Sequence, residues 1–164
     1  MTTRKEFFAW QDDYGVNIQP LDKQHQALVS LLNVLFVAAF ERRENKIIVD
    51  MLQALRRSFR MHFELEERLL RQMAHKDVDA HQHENRQFLA QLDHLCRKHE
   101  QLDMPVNFDM LYLIKYWLAD HFQIVDSGDL VKVGYSAHAW EQSANEAFDS
   151  MPCATPCGGG RKAA

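Results

Sequence analysis

The chain has 164 residues, enough for one domain with its own core and too few for two of comfortable size. Its 19 basic and 23 acidic side chains leave a formal net charge of -4 with no basic block, which argues against nucleic acid or an anionic membrane as the main partner. Three cysteines are too few for a disulfide framework, and nine histidines are the compositional outlier.

The opening MTTRKEFFAWQDDYG lacks an apolar run of signal-peptide length, and the longest apolar segment, Leu28 to Phe40, is broken by Ser30 and Asn33 and is too short to span a bilayer. A cytoplasmic protein without a membrane partner is expected. The first helix is predicted from about Pro20, a residue suited to a helix start, to Arg43, with Leu21, Leu28, Leu32, Leu35 and Phe36 on one face. A second, about Lys46 to Met73, carries Ile48, Met51, Leu52, Leu55, Phe59, Phe63, Leu69, Leu70 and Met73 at steps of three and four.

AHKDVDA supplies the next connection, its aspartates suited to capping. The third helix, about Val78 to His99, places Phe88, Leu89, Leu92, Leu95 and Cys96 inward, and HEQLDMPVN breaks it. The fourth, about Phe108 to Val125, holds Met110, Leu111, Leu113, Ile114, Tyr116, Trp117, Leu118 and Phe122 and is expected to be the most buried. Ser136 to Ser150 is read as a short terminal helix. With no strand alternation and no repeat, the expected fold is all-α, an antiparallel up-down-up-down four-helix bundle with an N-terminal loop over residues 1–150, followed by a flexible tail over 151–164. A metal role for Cys153 and Cys157 in that tail has little support from their spacing.

Polar residues in line with the apolar faces point to the chemistry. His25 precedes Leu28 and Leu32; His62 and Glu66 share the side of Phe59 and Leu69; His81 and Asn85 lead into Phe88; His121 follows Ile114, Trp117 and Leu118. In HQHENRQF, positions four apart differ by only about 40° around the axis, so His81 and Asn85 share a face that His83 does not. A single inward histidine is ordinarily a hydrogen-bonded core residue. Four of them, one per helix, would need four separate sets of buried partners, whereas one shared metal centre satisfies them together.

Imidazole and carboxylate donors without inward thiols suit iron, zinc, copper or manganese. His25, His62, Glu66, His81 and His121 exceed what one tetrahedral zinc takes, and a pair of irons fits the inventory best. The glutamate-to-histidine step of three that marks ferritin-like di-iron enzymes does not occur, and neither does HExxH. The remaining histidines, His75, His94, His99 and His138, are expected at the surface.

These pieces, in order, resemble the bacterial hemerythrins: Trp10 and VNIQPLDKQH ending in His25, HFELEE with His62 and Glu66, His81, and WLADHFQIVD with His121 and Asp126. The resemblance spans about residues 10 to 130. It implies that His25 and His62 bind one iron, His81 and His121 the other, and that Glu66, Asp126 and an oxo or hydroxo group bridge them. Asp126 lies five residues past His121, about 140° round an ideal helix, so it is expected to reach the site only where the helix loosens ahead of DSGD. Trp117, Leu118 and Phe122 resemble the apolar wall of the family's oxygen pocket.

One departure stands out: the family pattern has a histidine where this chain has Asn85. The second iron is therefore expected to have one more position open to water, an anion or a gas. The resemblance and this departure together imply a non-haem di-iron protein that binds or senses dioxygen, not an enzyme, with a downstream signalling domain as a partner beyond this chain. The alternatives are a di-iron enzyme handling peroxide or nitric oxide, and a zinc-binding or structural helical interaction module.

Overall fold

The computed structural model describes residues 6–15, 19–72, 76–102 and 105–127, with the backbone alone at 69, 102 and 124–127. The helices are α1, Gln19–Phe40, α2, Asn45–Gln72, α3, Val78–Leu102, and α4, Phe108–Ser127. They form the expected antiparallel up-down-up-down four-helix bundle, each within a few residues of its predicted span. The terminal helix, the tail with Cys153 and Cys157, and the boundary after residue 150 lie outside the described residues.

Each helix forms because its apolar residues recur at three and four and so make one continuous stripe. Leu28, Leu32 and Leu35 from α1, Leu52, Leu55 and Phe59 from α2, Phe88, Leu92 and Cys96 from α3, and Leu111, Ile114 and Leu118 from α4 meet in one core. Helix ends are closed locally. After α1, Arg42 adopts φ 52°, and the N–H groups of Arg42 and Arg43 return to the carbonyls of Ala39 and Ala38 at 3.1 and 3.0 Å. This is a left-handed cap of the kind glycine usually makes. At the start of α4, Asn107 Oδ1 accepts from the Asp109 N–H at 2.9 Å, a side-chain N-cap.

α4 has the largest share of buried residues of the four helices, as expected, although Phe108, Tyr112 and Tyr116 are 40%, 41% and 60% exposed. Its aromatic density hid an ordinary amphipathic arc, in which every fourth residue from Phe108 faces outward. One expectation about burial needs correction. His99, expected at the surface, is only 6% exposed. It continues the stripe of Leu92, Leu95 and Cys96 by one more turn and lines a cavity of about 460 Å³ with Arg42, Arg43 and Val106. His94 is exposed as expected, and His75 and His138 lie outside the described residues.

An N-terminal arm lies against the bundle. Phe8 and Tyr14 join the core, with Tyr14 in a short 3-10 turn, Asp12–Tyr14. Asn33, one of the two residues that interrupt the apolar run of α1, grips this arm: its Oδ1 accepts from the Phe8 N–H at 2.7 Å and its Nδ2 donates to the Phe8 carbonyl at 2.9 Å. Lys115 donates to the Phe7 carbonyl at 2.6 Å and lies over the Phe7 ring. No helix among the described residues is long and apolar enough to cross a membrane.

Candidate metal centre

His25 sits early in α1, His62 and Glu66 late in α2, His81 and Asn85 early in α3, and His121 late in α4. In an antiparallel bundle these positions coincide at one end. All six side chains are 2% exposed or less, whereas His83 is exposed, as the helical period requires.

Glu66 is the hub. Its Oε2 lies 2.7 Å from His81 Nε2, 3.2 Å from His121 Nε2 and 3.9 Å from His62 Nε2. His62 Nε2 and His121 Nε2 are 3.1 Å apart. Among the described residues, His62, Glu66 and His121 offer three ligand atoms all within 4.8 Å of one another. The ring of His25 is 4.7 Å from that of His62, and the ring of His81 is 5.3 Å from that of His121.

Comparison with known families matches residues 16–130 to the hemerythrin HHE cation binding domain. The chain belongs to the hemerythrin family. It is 28% identical over 127 residues to the bacteriohemerythrin of Pseudomonas paraeruginosa, covering 77% of this chain and 82% of that protein. The bacteriohemerythrin of Methylococcus capsulatus is 27% identical over 114 residues, covering 70% and 86%. A crystal structure of hemerythrin with one leucine replaced by alanine superimposes with a TM-score of 0.69 at 25% identity, covering 74% of this chain and 93% of that one.

The donor set fits the cation of a hemerythrin-type domain on grounds independent of that likeness. His25 Nδ1 is 3.1 Å from the Tyr14 carbonyl, which can only accept, so the proton sits on Nδ1 and the lone pair on Nε2. His62 Nδ1 contacts Gln24 Oε1 at 3.3 Å with the same consequence. Orienting partners of this kind are what metal-bound histidines ordinarily have. His25 Nε2 and Glu66 Oε1 are both buried without a partner in the protein. Left so, each would cost about 1–3 kcal/mol, and two such lone pairs at one end of the bundle mark an electrophile's place.

Electrostatics agree. Burial, reinforced by His121, pushes His25 down to about 4, and burial pushes His62 down to about 3, so both imidazoles are neutral and ready to donate at neutral pH. Burial would raise the Glu66 carboxyl, but the His121 imidazole and hydrogen bonds from His121 and His81 outweigh it and hold Glu66 well below the usual range. For His81 burial works against the charged form, and the hydrogen bond to Glu66 more than offsets it, so its pKa is raised.

Aromatic groups enclose the cluster. Trp117 lies against His121 with centroids 4.8 Å apart and against Phe88 at 3.7 Å, while Phe122 lies 4.3 Å from the ring of His25. Leu118 is fully buried in the same layer. The backbone of α4 is helical to Ser127, and the side chain of Asp126 lies outside the described residues. Sequence reasoning missed Tyr14, Gln24 and Glu67. The two that orient histidines precede His25 by eleven residues and by one, spacings that no helical pattern singles out.

Proposed function

We propose that this protein is a non-haem di-iron protein that binds or senses dioxygen. The observation that carries the reading is the convergence of four imidazoles and one carboxylate, one or two from each helix, at a buried end of the bundle. In this reading His25 and His62 would hold one iron and His81 and His121 the other, with Glu66 and Asp126 as the carboxylate ligands. The iron pair, with an oxo or hydroxo group, would supply the electrons that dioxygen binding draws on.

The protein's own residues do the rest. Tyr14 and Gln24 set the tautomers of His25 and His62. Trp117, Leu118 and Phe122 keep bulk water from the cluster, which raises the strength of every electrostatic contact inside it. Asn85, in place of a histidine, leaves one further position at the iron of His81 and His121. That departure weakens a storage role, puts sensing level with carriage and supports a second reading, turnover of peroxide or nitric oxide at the added position.

Metal analysis after growth with iron tests the proposal. Two irons per chain and an absorption band in the near ultraviolet from a bridging oxygen are expected. Zinc in their place, or fewer than two irons, leaves a structural or zinc-binding bundle. Steady consumption of peroxide or nitric oxide by the iron-loaded protein would favour the turnover reading.

A further inference from the structure

Asn85 stands four residues after His81 on the inward face of α3 and is 1% exposed. Its amide is held in one orientation. Nδ2 donates to Glu67 Oε1 at 3.3 Å, Glu67 Oε2 accepts from Gln82 Nε2 at 2.8 Å, and Gln82 Oε1 accepts from Arg71 at 2.9 Å. A carboxylate oxygen accepts, and the NH2 group is the only part of an asparagine side chain that can donate to it. The carbonyl oxygen Oδ1 is thereby the atom left over, buried and without a partner in the protein. The side chain also ends one bond short of the nitrogen that a histidine would extend from the same place. It is shorter than the imidazole that the family pattern has there.

We propose that Asn85, fixed by Glu67, walls a second small-ligand site on the α3 side of the metal pair, and that this site takes a neutral hydroxylic ligand such as water or hydrogen peroxide in preference to an anion. The inference rests on the di-iron reading above. It concerns a different place from the side of the cluster where Phe122 lies against His25.

Two features favour this ligand class. A buried acceptor with no donor is satisfied by an O–H group, whereas azide or chloride would set lone pairs against lone pairs. Behind the amide stands the Glu67 carboxylate, whose negative charge works against an anion in a buried setting. The difference in reach between an asparagine and a histidine corresponds to a group the size of one or two oxygen atoms.

The test uses the full chain loaded with iron. Metal content is measured first, and fewer than two irons per chain removes the di-iron reading itself rather than this inference. With two irons present, the ferric protein is titrated with azide by visible absorption, and crystal structures are solved with and without azide. An oxygen-sized ligand within hydrogen-bond distance of Asn85 Oδ1 is expected, with no azide beside Asn85 and the same azide stoichiometry in wild type and Asn85→His. Glu67→Lys puts a donor where the acceptor stood and turns the amide round. That variant is expected to admit a second azide, with an affinity about tenfold or more above the wild type's limit. Azide seated beside Asn85 in the wild type, Asn85 or Glu67 bonded directly to iron, or no second azide in Glu67→Lys overturns the proposal.

Discussion

Asn85 concentrates the residue-scale chemistry of this chain. Exchanging it for histidine restores the family's donor at that position beside His81. Asn85→His is therefore expected to oxidise several-fold more slowly in its oxygen-bound form, followed as decay of the visible spectrum in air; an unchanged rate would mean that the added position has no part in oxidation. Its neighbour Glu84 is a second residue under tension. Burial raises its carboxyl from the ordinary 4.5 to about 7, against the pull of His81, and its Oε2 is buried without a partner. Between those two values the native carboxyl holds a proton that the unfolded chain has lost, so Glu84's own contribution to stability falls as pH rises through the window. Because Glu84 is only partly buried, screening reduces that contribution to about 1–2 kcal/mol. His25 and His62, kept neutral in the native chain, make stability rise over the same window, so the Glu84 effect is read as a difference: in urea unfolding of the metal-free protein, Glu84→Gln is expected to gain about 1–2 kcal/mol relative to wild type between pH 4.5 and 7.

At the scale of the elements, two local devices hold the arm and the first turn in place. Arg42 occupies the left-handed region at φ 52°, where a side chain costs about 1–2 kcal/mol relative to glycine. Arg42→Gly is expected to raise stability by about 0.5–1 kcal/mol once the greater freedom of the unfolded glycine is subtracted, visible as a small rise in Tm. Asn33 clasps both polar groups of Phe8. Asn33→Ala is expected to lower stability by about 1–2 kcal/mol and to speed amide exchange within residues 6–15. The clasp had no signature in the amino-acid order. An asparagine in an apolar run reads as an interruption, and its partner lies 25 residues upstream in an arm without periodicity. The helices, by contrast, were legible because their stripes repeat within one turn, and so were the inward histidines, which fall on those stripes. His99 falls on the same stripe, one turn beyond the last apolar residue, where nothing but the period itself marks it as inward.

For the molecule as a whole, the histidine-bearing end is expected to depend on a bound ion. Four buried imidazoles and a carboxylate are poorly satisfied by one another, so a bound ion stabilises the native state in proportion to its occupancy. Removing iron with a chelator is expected to lower Tm by about 10 °C, the shift that about 4 kcal/mol makes in a domain of this size. Amide exchange should accelerate most in the first turns of α1 and α3 and the last turns of α2 and α4. Uniform acceleration along all four helices would show that the metal holds the entire bundle rather than one end. The ligand role proposed for Asp126 was legible only through family likeness, because five residues along a helix turn a side chain away from its predecessor.

Gathering the cluster's donors at one pole leaves the turn from Glu41 to Glu44, at the opposite pole, clear of them. A fluorophore or a surface tether grafted onto that turn would ride on a rigid handle about four helical turns along the chain from the nearest cluster histidine, reporting on the bundle without touching the cluster.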